Sequence, residues 1–377
     1  MLLWDHTALE RVLSRLSSVE EYFLEFLPSK KEYKATLPNN KRFNRIEGHL
    51  KNKAKVVAQI TFLTECAPMF NEFLLKFQTE GPMIHVLHGE IKSVLLQILW
   101  RIVKADAVND LSAKRLKKLK LDDILLPPEE CYIGPKTKEA LKTLSPHDAR
   151  QERKKMQNHY LTIAKYFQKK FPLDSDILRD LSALHPQMYM HDTTVKCIER
   201  LAKLVPHVLP VEENPKVVDE WRALQAENIN KSWYEEEIVD DEGKSTTKLI
   251  RVDHFWRKIF KIKLPSGLNK YTVLPKVLKT LLSIHHGNAD VERSLSDNKK
   301  VVTNERVQLG QETIKGIRRT KELARGSGGA SNVQIDKTMI AAAQNSHQVY
   351  AKRLEEQAKE KLTQKQKNEE AKKKREE

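Results

Sequence analysis

His85 and His88 stand one helical turn apart, a spacing that can bring two imidazoles to one metal ion. No third ligand lies near them in the sequence, so the pair reads as half-buried or surface histidines of a helix, and no metal site is assigned. Cys66, Cys131 and Cys197 are far apart and form no C-x-x-C pair, which argues against a zinc finger within the chain. So sparse a set fits free, mostly buried thiols in a reducing compartment. Lys114-Arg115-Leu116-Lys117-Lys118-Leu119-Lys120 is a basic cluster able to meet phosphates, although a solvated face is the ordinary role of such a run. Lys372-Lys373-Lys374-Arg375 has the composition of a nuclear import signal. Glu292-Arg293 sets a carboxylate beside a guanidinium, which by itself means little.

The elements that must position these groups read as helices. Gly is sparse at 12 of 377 residues, and Leu, Lys, Glu and Ala are plentiful. Hydrophobic residues make up 40%, enough for a sizeable core. The net charge of +16 favours polyanionic partners, nucleic acid above all. No run of eighteen apolar residues is present, so no membrane span is expected. The first residues, Met1-Leu2-Leu3-Trp4, lack the charged-then-apolar layout of a secretory signal.

Thr7 and Glu10 form a capping box before a stripe of Leu9, Val12, Leu13, Leu16, Val19, Phe23 and Phe26 that Pro28 should end. Residues 28–45 read as a polar, basic loop. Helices are expected over 47–77, bent or split at Pro68, then over 84–103, 146–171, 194–204 and 215–227. Glu237-Ile238-Val239 and Leu249-Ile250-Arg251-Val252 flank an acidic turn and read as the one β-hairpin, within 233–252. Arg325 to Ser331 is a flexible linker. Beyond an Ala-, Gln- and Lys-rich helical pattern, residues 361–377 form a charged tail with too few apolar side chains to pack.

Residues 271–318 carry the strongest pattern. Leu274, Val277, Leu278, Leu281, Leu282 and Ile284 recur at three- and four-residue steps and form one apolar stripe. His285-His286-Gly287-Asn288 breaks the pattern, and a second helix should start near Asp290 and turn Val291, Leu295, Val301 and Val302 inward. The stripe needs burial, against the chain's own helical body, a second copy, or both.

This stretch resembles the C-terminal dimerisation region of the hAT transposase superfamily. That family has a leucine-rich helix, a loop of small residues, an A-x-x-E-R-x-F-S-like box and a T-x-x-R-x-x-L segment. Ala289, Glu292, Arg293, Ser296, Thr303, Arg306 and Leu309 match, with Leu295 where the family has Phe. Further phrases are similar to the family's helical insertion: Trp4 with Leu9 to Leu13, Met69 to Phe73 with Pro82 to His88, Ile177-Leu178 to Leu184-His185-Pro186, and Glu220-Trp221. Together they cover nearly all of residues 4–320.

The resemblance implies a mainly α fold. It would have a helical insertion-like region at 1–265, a dimerisation region at 266–323 belonging to a ribonuclease H-like catalytic domain, and a linker and mobile tail at 324–377. It implies a homodimer or higher oligomer joined through Leu274, Val277, Leu278, Leu281, Leu282, Ile284 and Leu295. Arg293, Lys299, Lys300 and Arg306 are the residues for DNA. A transposase of this class holds two divalent ions with three carboxylates. By position Glu292 is the third, and the other two come from strands ahead of the insertion. Nothing ahead of Trp4 supplies them, so the expectation is a domesticated or truncated, non-catalytic nuclear protein. No cofactor is expected, Mg2+ belonging only to a complete active transposase, and no small-molecule substrate. Two rivals stand beside it: a fragment of an active DNA-cutting enzyme, and a plain nucleic-acid-binding protein.

Overall fold

The computed structural model describes residues 6–34, 37–79, 81–239, 243, 245–287, 289–303 and 309–376. Trp4 and Arg306 lie outside them. The described residues are mainly helical, and the chain divides into two units, Met1–Val291 and Glu292–Glu377.

The first unit opens with α1 (His6–Glu21), which continues through a π-helical turn at Tyr22–Phe26 into α2 (Leu27–Ser29). Pro28 falls in the last turn of this continuous run, and the helix outlasts it by one residue, to Ser29. The stretch expected as a loop carries α3 (Lys31–Lys34), a 3-10 turn at Leu37–Asn39 and α4 (Lys41–Lys51). Asn40 starts α4, its side-chain oxygen accepting from the amides of Arg42 and Phe43 at 3.0 and 3.1 Å.

The break in the next helical run comes at Asn52, and α5 (Lys53–Lys76) is not split at Pro68. Ala67 and Met69 on either side are buried, and that packing outweighs the one lost backbone bond. Then follow α6 (Ile84–Leu99), α7 (Ala113–Lys118), α8 (Pro135–Lys142), α9 (Pro146–Lys170), α10 (Asp176–Leu181), α11 (Thr193–Ala202) and α12 (Asn214–Gln225). The hairpin is β1 (Glu235–Val239) antiparallel to β2 (Ser245–Leu249), with Glu237 opposite Thr247. It is the one sheet among the described residues. α13 (Val252–Ile259) and α14 (Leu274–Leu282) complete the unit.

Two apolar clusters hold this unit together. One, under α5, α6 and α9, centres on Phe62, Leu95, Ile98, Leu99, Met156 and Tyr160. The other, built by α10 to α14, centres on Leu184, Trp221, Phe255, Trp256, Leu274 and Leu278. Leu87 of α6 touches both.

In the second unit α15 (Ala289–Val301) leads to α16 (Gln311–Gly326) and α17 (Lys337–Glu376). Ser294 accepts from the Arg318 guanidinium, and Asp297 lies 3.7 Å from Arg325, so α15 and α16 are paired. Gly328 and Gly329 take left-handed backbone (φ 76° and 133°) where the chain turns after α16. The charged tail is helical as far as Glu376, as a segment rich in Ala, Glu, Lys and Gln favours.

Candidate functional site

The region that carries the family pattern is built around the start of α14. Its Pro275 needs no hydrogen bond at a helix entry, and its remaining free amides are met from another helix. Glu220 of α12 reaches across with both carboxylate oxygens. One accepts from the Thr272 amide at 2.8 Å, the Thr272 hydroxyl at 2.9 Å and the Val273 amide at 3.2 Å. The other accepts from the amides of Val273 and Leu274 at 3.1 and 2.7 Å. An anion there also opposes the positive end of the helix dipole.

The neighbouring Trp221 is fully buried and stacks on Trp256 with ring centroids 5.6 Å apart. Its indole N–H donates to the Thr194 hydroxyl at 3.0 Å, while that of Trp256 donates to the Leu184 carbonyl at 3.0 Å. The phrases at Leu181 to Leu184, at Glu220-Trp221 and at Leu274 to Leu282 are therefore parts of one packed body.

Leu274, Val277, Leu278, Leu281 and Leu282 face into that body and are at most 9% exposed. Burying five such side chains is worth on the order of 10 kcal/mol, as much as the whole stability of an ordinary domain. The stripe is core of the single folded chain and has no free face to give a second copy. Ile284 (41% exposed) and Leu295 (57% exposed) are the two members of the set left at the surface. Leu295 was expected to point inward with Val301. Six positions apart on a helix they point about 120° away from one another, and it is Val301 that is buried.

The elbow after α14 is anchored, since the His286 Nε2 lies 3.1 Å from the Phe77 carbonyl at the end of α5. Within the second unit Glu292 is exposed on the first turns of α15. Lys299 is exposed, and Lys300 is exposed with its amine 3.5 Å from Asp297. The side chain of Arg293 lies outside the described set.

The other chemistry-bearing residues have structural partners. His85 is buried, its ring 5.5 Å from that of His185, and burial lowers its pKa to about 4, with His185 and His286 adding to the effect. His88 faces the Leu173 carbonyl at 3.4 Å and is likewise held below the usual range by burial. Among the described residues no three His, Cys, Asp or Glu side chains are grouped to hold a metal. The three cysteines are free. Cys66 shares a hydrogen bond of 2.9 Å with the Tyr160 hydroxyl, and burial pushes its thiol up to about 11, away from nucleophilic use at neutral pH. Lys117 of the basic cluster is engaged by Asp174 at 2.6 Å.

No family model, no curated protein and no solved structure matches this chain.

Proposed function

We propose that this is a hAT-transposase-derived nuclear protein that self-associates through its C-terminal helices and does not itself cut DNA. The observation that carries the reading is the convergence of dispersed family-like phrases. Leu181 to Leu184, Glu220-Trp221 and the leucine-rich helix are spread over about a hundred residues, yet they share one core through Trp221, Trp256 and the Glu220 cap. Chance similarities scattered along a chain have no reason to be mutually packed.

The self-association surface is drawn from what that core leaves out. Leu295, Leu323, Ile335, Ile340, Tyr350 and Leu354 of the second unit are all between 46% and 71% exposed. So many large apolar side chains on so few helices call for a cover. A second copy supplies one without any further partner, as helix pairs in oligomers commonly do. Among the described residues no helix is long and apolar enough to cross a membrane.

Capture of an untagged copy by a tagged one at micromolar concentration tests the proposal. Leu295→Asp with Leu354→Asp should abolish capture and leave the thermal midpoint unchanged. Capture that survives both changes, or a wild-type chain that never captures itself, defeats it.

A second reading, polyanion binding, is favoured by the exposed Lys299 and Lys321, which form no ion pair with a carboxylate among the described residues. Retention on DNA that falls steeply with salt supports it, and absence of retention at low salt removes it.

A further inference from the structure

The first unit contains a second feature that neither self-association nor polyanion binding uses. A cavity of about 510 Å3 opens where α1 and α5 meet the segment before α8. Ligand pockets fall in the range of roughly 300–1,000 Å3. Arg101, just beyond α6, lines it. The Arg101 guanidinium lies 5.7 Å from the Tyr132 ring centre and 5.8 Å from that of Tyr160, which limits its movement. One terminal nitrogen donates to the Gln97 carbonyl, but Nε is buried with no acceptor. No carboxylate is within ion-pair distance of Arg101 among the described residues.

The acid beside it is already committed. Glu65 accepts from the Lys136 and Thr137 amides at 3.1 and 2.8 Å and from the Thr137 hydroxyl at 2.6 Å, capping α8. Gly134, at φ 91°, makes room for this, because a Cβ there would stand 2.3 Å from a Glu65 oxygen. The remaining carboxylate of the lining is Glu10 of α1, which has no partner among the described residues. Leu13 and Pro68 give the cavity an apolar wall, and Thr61 adds a hydroxyl.

We propose that this cavity binds a small zwitterion with an apolar body, of the free α-amino-acid class. Arg101 takes the carboxylate, because a guanidinium presents paired N–H groups that match a planar carboxylate. Glu10 takes the ammonium group. Leu13 and Pro68 cover the aliphatic side chain. With Arg101 and Lys136 as the cations of the lining and Glu10 as its uncommitted acid, a ligand that carries both charges finds more partners there than a simple anion or an amine.

Calorimetric titration of the full chain with L-leucine, 4-methylpentanoate and 3-methylbutylamine tests it. Leucine should bind saturably, and each analogue lacking one charge should bind about tenfold more weakly or worse. Arg101→Gln should weaken leucine by a similar factor, and Arg101→Lys should recover only part of the loss. Glu10→Gln sits on a surface helix and leaves the core intact. It should erase the preference for leucine over 4-methylpentanoate. Absence of saturable binding of all three probes overturns the proposal, as does equal affinity for leucine in the wild type and Arg101→Gln. Tighter binding of 4-methylpentanoate than of leucine overturns the assignment of a zwitterion.

Discussion

Glu220 fixes the entry of the helix that carries the apolar stripe. It meets three backbone amides and a hydroxyl at a helix entry, and charge-assisted bonds of that kind are worth more than neutral ones. Glu220→Gln keeps the shape and removes the charge, so it should destabilise the first unit by about 2 kcal/mol in urea unfolding. Nothing local announces this role, because the cap and the capped amides are more than fifty residues apart. A family-like Glu-Trp pair was visible in the sequence, but what the pair does was not.

His85 gives a prediction in pH. In the unfolded chain an imidazole takes its proton near pH 6.5, whereas in the fold burial delays protonation to about pH 4. The unfolded state therefore binds more protons between those values, and stability falls as the pH falls through them. The full contribution is present above pH 6.5, and on the order of 3 kcal/mol is lost by pH 4. His85→Gln should flatten that part of the stability–pH curve. An unchanged slope would mean the ring is not held neutral.

At the scale of elements, hydrophobic periodicity revealed most of the helices, because each turns one face to a core, whereas the hairpin, with strands exposed on both faces, was marked by β-branched residues flanking an acidic turn. α14 is the strongest case, and Leu278→Ala at a fully buried position should cost about 2–5 kcal/mol. The same periodicity could not say which surface buries the stripe. Packing against Trp221 and Trp256 is a tertiary choice made by distant residues. The periodicity placed the end of the first helical run within a residue, at Pro28, but not the unsplit helix through Pro68, where packing outweighs one lost bond. Gly134 is a further element-level test. Gly134→Ala both strains a φ of 91° and drives a methyl group into Glu65, so it should cost more than about 1 kcal/mol and loosen the start of α8.

At the scale of the whole molecule the chain is two units that bury apolar surface differently. The first packs most of its apolar residues into two clusters of its own, although Trp100, Leu204 and Leu268 stay exposed. The second keeps Leu295, Leu323, Ile340, Tyr350 and Leu354 in water on helices rich in charge. The proposed self-association would cover those side chains. The apolar stripe of α14 is buried within the first unit.

Sedimentation equilibrium of the full chain across the micromolar range, with Leu295→Asp and Leu354→Asp as the paired control, addresses that account most directly. The wild type should fit a reversible dimer or higher oligomer and the doubly substituted chain a folded monomer. A wild-type chain that stays monomeric throughout, or a substituted chain that assembles as before, would contradict it.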